Sequence, residues 1–131
     1  MNVKTNTKEK FTVITPEEPE ITANMTEKLS ELLLSYLQKD IKHVILNMSG
    51  VQKISGIVGK RLVEVQQQFY AGSSSFVICE LQKSVQTELE HDKVLEQLNL
   101  TPTESEAWDI VQMEEIEREL LSNDNEYGEI I

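Results

Sequence analysis

The run Ile41-Lys42-His43-Val44-Ile45-Leu46-Asn47-Met48 decides how this chain folds. Val44, Ile45 and Leu46 are consecutive and apolar, and neighbouring side chains of a strand point to opposite faces. A strand that is apolar on both sides needs cover on both sides, as in a parallel sheet flanked by helices. Phe76–Leu81 repeats the pattern around Val77, Ile78 and Cys79. Between the two runs, Ile57, Val58, Leu62, Val65 and Phe69 recur at helical spacing. That helix ends at Ala71-Gly72-Ser73-Ser74-Ser75, glycine being favoured where a helix stops.

Toward the N-terminus, Asn2–Thr7 and Lys10–Thr15 read as short strands joined by a polar turn at Lys8-Glu9. Pro16 and Pro19 close the second strand, because proline cannot donate to a ladder. Asn24, with Glu27 three residues on, predicts a helix cap, and Leu29, Leu32, Leu33, Tyr36 and Leu37 supply its apolar face. Toward the C-terminus, Ser84 is read as capping a short helix that carries Val85 and Leu89, and a brief strand follows around Leu98–Leu100. Thr101-Pro102-Thr103-Glu104 predicts the start of a last helix, with Thr101 as its cap. Its apolar stripe is Ala107, Ile110, Val111, Ile116 and Leu120. The order β-β-α-β-α-β-α-β-α implies an α/β sandwich, with a mixed central sheet, an N-terminal hairpin and about four helices. Residues 1–121 are read as the domain and 122–131 as an acidic flexible tail.

At 131 residues this is one domain, able to bury about two-thirds of its extended-chain surface without disulfides or a metal. Hydrophobic residues at 39% and charged residues at 27% exclude wholesale disorder. The lone Cys79 excludes an internal disulfide and reads as a small buried hydrophobe in a reducing compartment. The N-terminus lacks the apolar region of a signal peptide, and no apolar run approaches a membrane span. A cytoplasmic protein with no membrane association is the expectation. Net charge is −11, and ten acidic residues against Arg118 lie between Glu104 and Ile131. Such a surface repels phosphate backbones and argues against nucleic acid as a partner.

Catalytic patterns are missing. His43 and His91 stand apart from any zinc-type spacing, and no G-x-S-x-G, phosphate loop or G-x-G-x-x-G occurs. Glu114, Glu115, Glu117 and Glu119 surround Arg118 as a solvated helix face, not an acid–base pair, and Trp108 reads as a rim-packing aromatic. No enzyme activity, metal or cofactor is expected.

Two stretches carry a family resemblance. Ile41 to Val51 resembles the core strand and following "D-L-S-x-V" segment of STAS domains, the anti-sigma factor antagonist family, with Asn47 where aspartate is usual. Pro102-Thr103, Glu106-Ala107 and Met113-Glu114-Glu115-Ile116-Glu117-Arg118 resemble the last helix of small stand-alone STAS proteins of the Bacteroidetes type. The family's D-S-(S/T)-G-L loop, whose first serine accepts phosphate in switching members, then falls on Ser55-Gly56-Ile57-Val58-Gly59. Gly56 stands at the acceptor position and has no hydroxyl. Ser55, one residue earlier, is a degenerate acceptor candidate whose hydroxyl suits a helix cap better.

The resemblance implies a non-catalytic bacterial regulator that binds a protein partner, an anti-sigma factor or serine kinase in the family. The implied docking surface is Ser55, Gly56, Ile57 and Val58, flanked by Lys53, Lys60 and Arg61. The alternatives are a phospho-switched antagonist using Ser55, and an adaptor subunit binding through its acidic C-terminal helix.

Overall fold

The computed structural model describes the backbone of residues 1–130 and the side chains of 1–122. The strands are β1 (Val3–Thr7), β2 (Phe11–Pro16), β3 (Glu20–Ile21), β4 (His43–Asn47), β5 (Lys53–Ile54), β6 (Phe76–Cys79) and β7 (Leu100–Thr101). The helices are α1 (Ala23–Ser35), α2 (Gly56–Ala71), α3 (Lys83–His91) and α4 (Glu104–Ile130). The main sheet has the order β1-β2-β4-β6-β7. β1 pairs antiparallel with β2, and all other pairs in that sheet are parallel.

Strand alternation sorts the core into two layers. Ile14, Val44, Leu46, Phe76 and Ile78 face α1, α2 and α3, among Leu29, Leu33, Leu62, Phe69, Val85 and Leu89. Phe11, Val13, Ile45, Val77 and Cys79 face the other way, onto Ala107 and Val111 of α4. Three helices therefore cover one face and α4 alone covers the second. This is the two-sided burial that Val44-Ile45-Leu46 demanded, and all three are fully buried.

Several local expectations shift. β3 and β5 form a separate parallel pair that the sequence did not announce, since two residues each leave no periodicity. α1 begins after Thr22, and Asn24 lies inside its first turn. Gln82, not Ser84, holds the α3 cap position. The Ser84 hydroxyl instead donates to the Gln52 carbonyl at 2.7 Å. Thr101 belongs to β7, and Thr103 caps α4 by accepting the Glu106 N–H at 3.3 Å. Gly72 does close α2, but the left-handed residue is Ser73, at φ 58°. β6 ends at Cys79, because Glu80 turns the chain at φ 59°.

The last apolar stripe divides. Ala107 and Val111 are buried, whereas Ile116 and Leu120 are 55% and 56% exposed. The inward row continues instead through Glu114, Glu115 and Arg118, so only Glu117 and Glu119 form the solvated face expected of all four glutamates. Glu115 accepts from His43 Nε2 at 2.6 Å, a tautomer fixed by the Ser75 N–H donating to Nδ1 at 2.9 Å. Glu114 accepts from the Tyr70 hydroxyl at 2.7 Å, and Arg118 donates to Ser75 Oγ at 3.0 Å. Trp108 packs against Phe11, ring centres 5.1 Å apart, with Lys8 above it. The tail read at 122–131 lies outside the described side chains, apart from its first residue.

Candidate functional site

The parallel strands β4 and β6 end on one side of the sheet, and the loops leaving them are tied together there. Asn47 begins this region as the last residue of β4. Its Oδ1 accepts the Ser49 N–H at 2.9 Å, an Asx turn that starts the exit loop. Its Nδ2 donates to Glu104 Oε1 at 3.0 Å. An aspartate could make the first bond but would oppose Glu104 at the second, so the amide is the group that fits. Gln82 at the start of α3 donates to the Ser49 carbonyl at 2.7 Å. Glu80 accepts the Glu104 N–H at 2.8 Å, placing a carboxylate at the amino end of α4 where the helix dipole favours it.

The loop then enters α2. The N–H groups of Gln52 and Ser55 donate to the Pro19 and Ile21 carbonyls, at 2.7 and 2.9 Å. These bonds hold β5 beside β3 and aim the chain at the helix start. Ser55 occupies the cap position with extended backbone, and its carbonyl accepts the Val58 N–H at 3.0 Å. Its hydroxyl makes no capping bond, so the side-chain cap read from sequence is not formed.

The seven expected docking residues separate by environment. Gly56, Ile57, Lys53 and Lys60 are exposed, Ile57 by 52% despite its size. Ser55 is half-buried. Val58 is fully buried in the helical-side core and offers no side-chain surface. Arg61 is half-buried and engaged: Nε donates to Ser30 Oγ, one terminal nitrogen to Glu64 at 2.7 Å and the other to Glu27 at 3.0 Å. Those glutamates raise its pKa above the usual guanidinium value. Lys53 and Lys60 make no ion pair among the described residues.

One participant gave no local signal in the sequence. Asp92, which ends α3, brings its carboxylate to the first turn of α2. A Cβ on Gly56 would lie 3.8 and 4.0 Å from its two oxygens. Asp92 Oδ2 is buried and accepts no hydrogen bond. One turn on, a Cβ at Gly59 would lie 2.6 Å from Val94 Cγ2 and 2.9 Å from Leu89 Cδ2. Only glycine allows α3 and the turn after it to pack this closely. No group of three metal-ligating side chains occurs among the described residues, and no described helix is long and apolar enough to cross a membrane.

A family model described as the STAS domain matches residues 2–107. The chain belongs to the STAS domain family. Its fold is similar to that of a Thermotoga maritima protein described as an anti-sigma factor antagonist, with a TM-score of 0.74 at 15% identity over 84% of this chain and 94% of that one. A Planctomyces limnophilus STAS domain protein matches with a TM-score of 0.71 at 17% identity, covering 84% and 97% of the two chains. The murine solute carrier 26 family member A9, an anion transporter, matches at 0.67 and 18% identity, over 79% of this chain but 18% of that one. No curated protein matches by sequence. At such identities the likeness establishes the STAS fold and nothing finer.

Proposed function

We propose that this STAS domain is a non-catalytic, cytoplasmic interaction module that docks a regulatory protein through the start of α2 and is not switched by phosphorylation. The observation that carries the reading is Ile57. A large aliphatic side chain 52% exposed on the first turn of a helix, with exposed Lys53 and Lys60 on either side of it in the chain, is a small apolar anchor with a basic rim. It stands out on a chain of net charge −11. The family resemblance supports an anti-sigma factor or a serine kinase as the partner class.

Two features support the missing switch. Position 56 is glycine and carries no hydroxyl. The Asp92 carboxylate already faces that position, so a phosphate added there would meet a resident negative charge. The second reading, a switch on Ser55, is favoured by one observation only: its hydroxyl is uncommitted to capping.

The test is partner capture from the source cell, with identification by mass. Ile57→Glu is expected to cut recovery at least about tenfold, the loss typical of an anchor residue, with the melting temperature unchanged. Full recovery by Ile57→Glu overturns the docking surface. Intact-mass measurement after incubation with the captured kinase tests the switch, and a gain of one phosphate that Ser55→Ala abolishes restores the second reading.

A further inference from the structure

The exposed residues of α4 form a pattern that this domain's own core does not use. Met113, Ile116 and Leu120 are 54%, 55% and 56% exposed. At 3.6 residues per turn they fall within about 60° of one another, nearly opposite the row Ala107, Val111, Glu115 and Arg118 that faces the sheet. Leu121, 64% exposed, lies about 80° round the helix from Met113, beyond Glu117. Exposed Glu117 and Glu119 flank the stripe on either side, and exposed Asp109 lies in line with it about one turn before Met113. Beside it runs a groove of about 300 Å³ lined by Lys10, Gln112, Glu115, Ile116 and Glu119. An aliphatic row on the far side of a surface helix gains nothing from the domain's own core.

We propose that this outer face of α4 is a second docking surface, and that its occupant is a basic amphipathic helical segment of a partner protein. Charge decides between occupants. A symmetric second copy would set Glu117 and Glu119 against their own counterparts, and like charges brought together at an interface are costly. The helix has one base, Arg118, and it is turned inward to Ser75 and Glu115. Among the described side chains the stripe spans two turns, about 10 Å, short of the roughly 800 Å² per partner of a standard stable complex. It fits one helix laid along another, its aliphatic residues on Ile116 and its lysines or arginines reaching Glu117 and Glu119. α4 lies across the sheet from α2, so both surfaces can be occupied together.

Fluorescence anisotropy on the full chain tests the assignment with three labelled peptides. One carries leucines at i, i+3 and i+7 flanked by lysines, the second is its scrambled sequence, and the third has glutamates in place of the lysines. The first is expected to bind at least about tenfold more tightly than the other two, and more weakly as salt rises. The surface variant Met113→Ser/Ile116→Ser/Leu120→Ser is expected to erase that preference. Glu117→Lys/Glu119→Lys is expected to reverse it toward the glutamate peptide, and Ile57→Glu to leave it unchanged. Equal binding of the scrambled peptide, or an unaffected triple-serine variant, overturns the proposal. A dimer in sedimentation velocity that the triple-serine variant dissolves overturns it in favour of a second copy.

Discussion

Asn47 shows how one atom type settles a position. It accepts from Ser49 and donates to Glu104, and only an amide does both. Asn47→Asp, the family's usual residue, is expected to destabilise this domain by about 2 kcal/mol at neutral pH, replacing a bond to a charged acceptor by carboxylate repulsion. Adding Glu104→Gln should recover most of the loss in urea titrations. The penalty comes from a carboxyl whose folded pKa is raised. It is absent below the ordinary carboxylate range and develops as pH rises through it. Cys79 obeys the same sign at the alkaline end. Burial, then the nearby Glu104 and Glu80, push its thiol from 9.0 up to about 12. Its contribution to stability is complete below the unfolded thiol's pKa and is lost as pH rises toward 12. Urea midpoints between neutral pH and pH 10 should therefore fall less steeply in Cys79→Ala. Tyr70, pushed upward by burial and by Glu114, leaves a residual slope of the same sign.

At the scale of elements, α2 is defined by what approaches its first two turns. Gly59→Ala should gain up to about 1 kcal/mol of helix propensity, yet the new Cβ would overlap Val94 and Leu89. Overpacking at about 1–3 kcal/mol wins, and a net loss in thermal and urea stability is expected. Gly56→Ala, with its nearest neighbours at 3.8 Å, is the control and should change stability by less than about 0.5 kcal/mol. At the other end of α2, Ser73→Gly is expected to stabilise by about 1 kcal/mol, because a left-handed backbone costs a residue with a Cβ about that much.

Across the whole molecule, the sheet has three helices on one face and one on the other. α4 alone shields Phe11, Val13, Ile45, Val77 and Cys79. A chain ending at Thr103 should therefore be unfolded or aggregated. A chain ending at Leu121 keeps Ala107, Val111, Glu115 and Arg118, with their bonds to His43 and Ser75, and should melt within a few degrees of the full protein. Circular dichroism melts of the two truncations check both outcomes and the boundary placed at 121. The fixed layers also separate the proposed surfaces, Ile57 on the three-helix side and Ile116 on the other, so one variant should not disturb the other's partner.

Alternation of strands and helices, two-sided burial of Val44–Leu46 and the end of α2 near Gly72 were all legible in the sequence, because periodicity and chain punctuation are local. The acidic C-terminal segment and the glycine at position 56 were equally plain. What local pattern left open was which apolar side chains find cover. Ile57 and Val58 read alike as sequence, yet the crossover of α2 onto the sheet buries Val58 and leaves Ile57 outside. Ile116 and Leu120 read as a continuation of the core stripe, but the row facing the sheet is the one through Arg118. Asp92 lies 36 residues from Gly56, and only the packing of α3 on α2 brings its carboxylate there. Hydropathy states what a side chain prefers, and the tertiary structure alone supplies or withholds the neighbour that satisfies it.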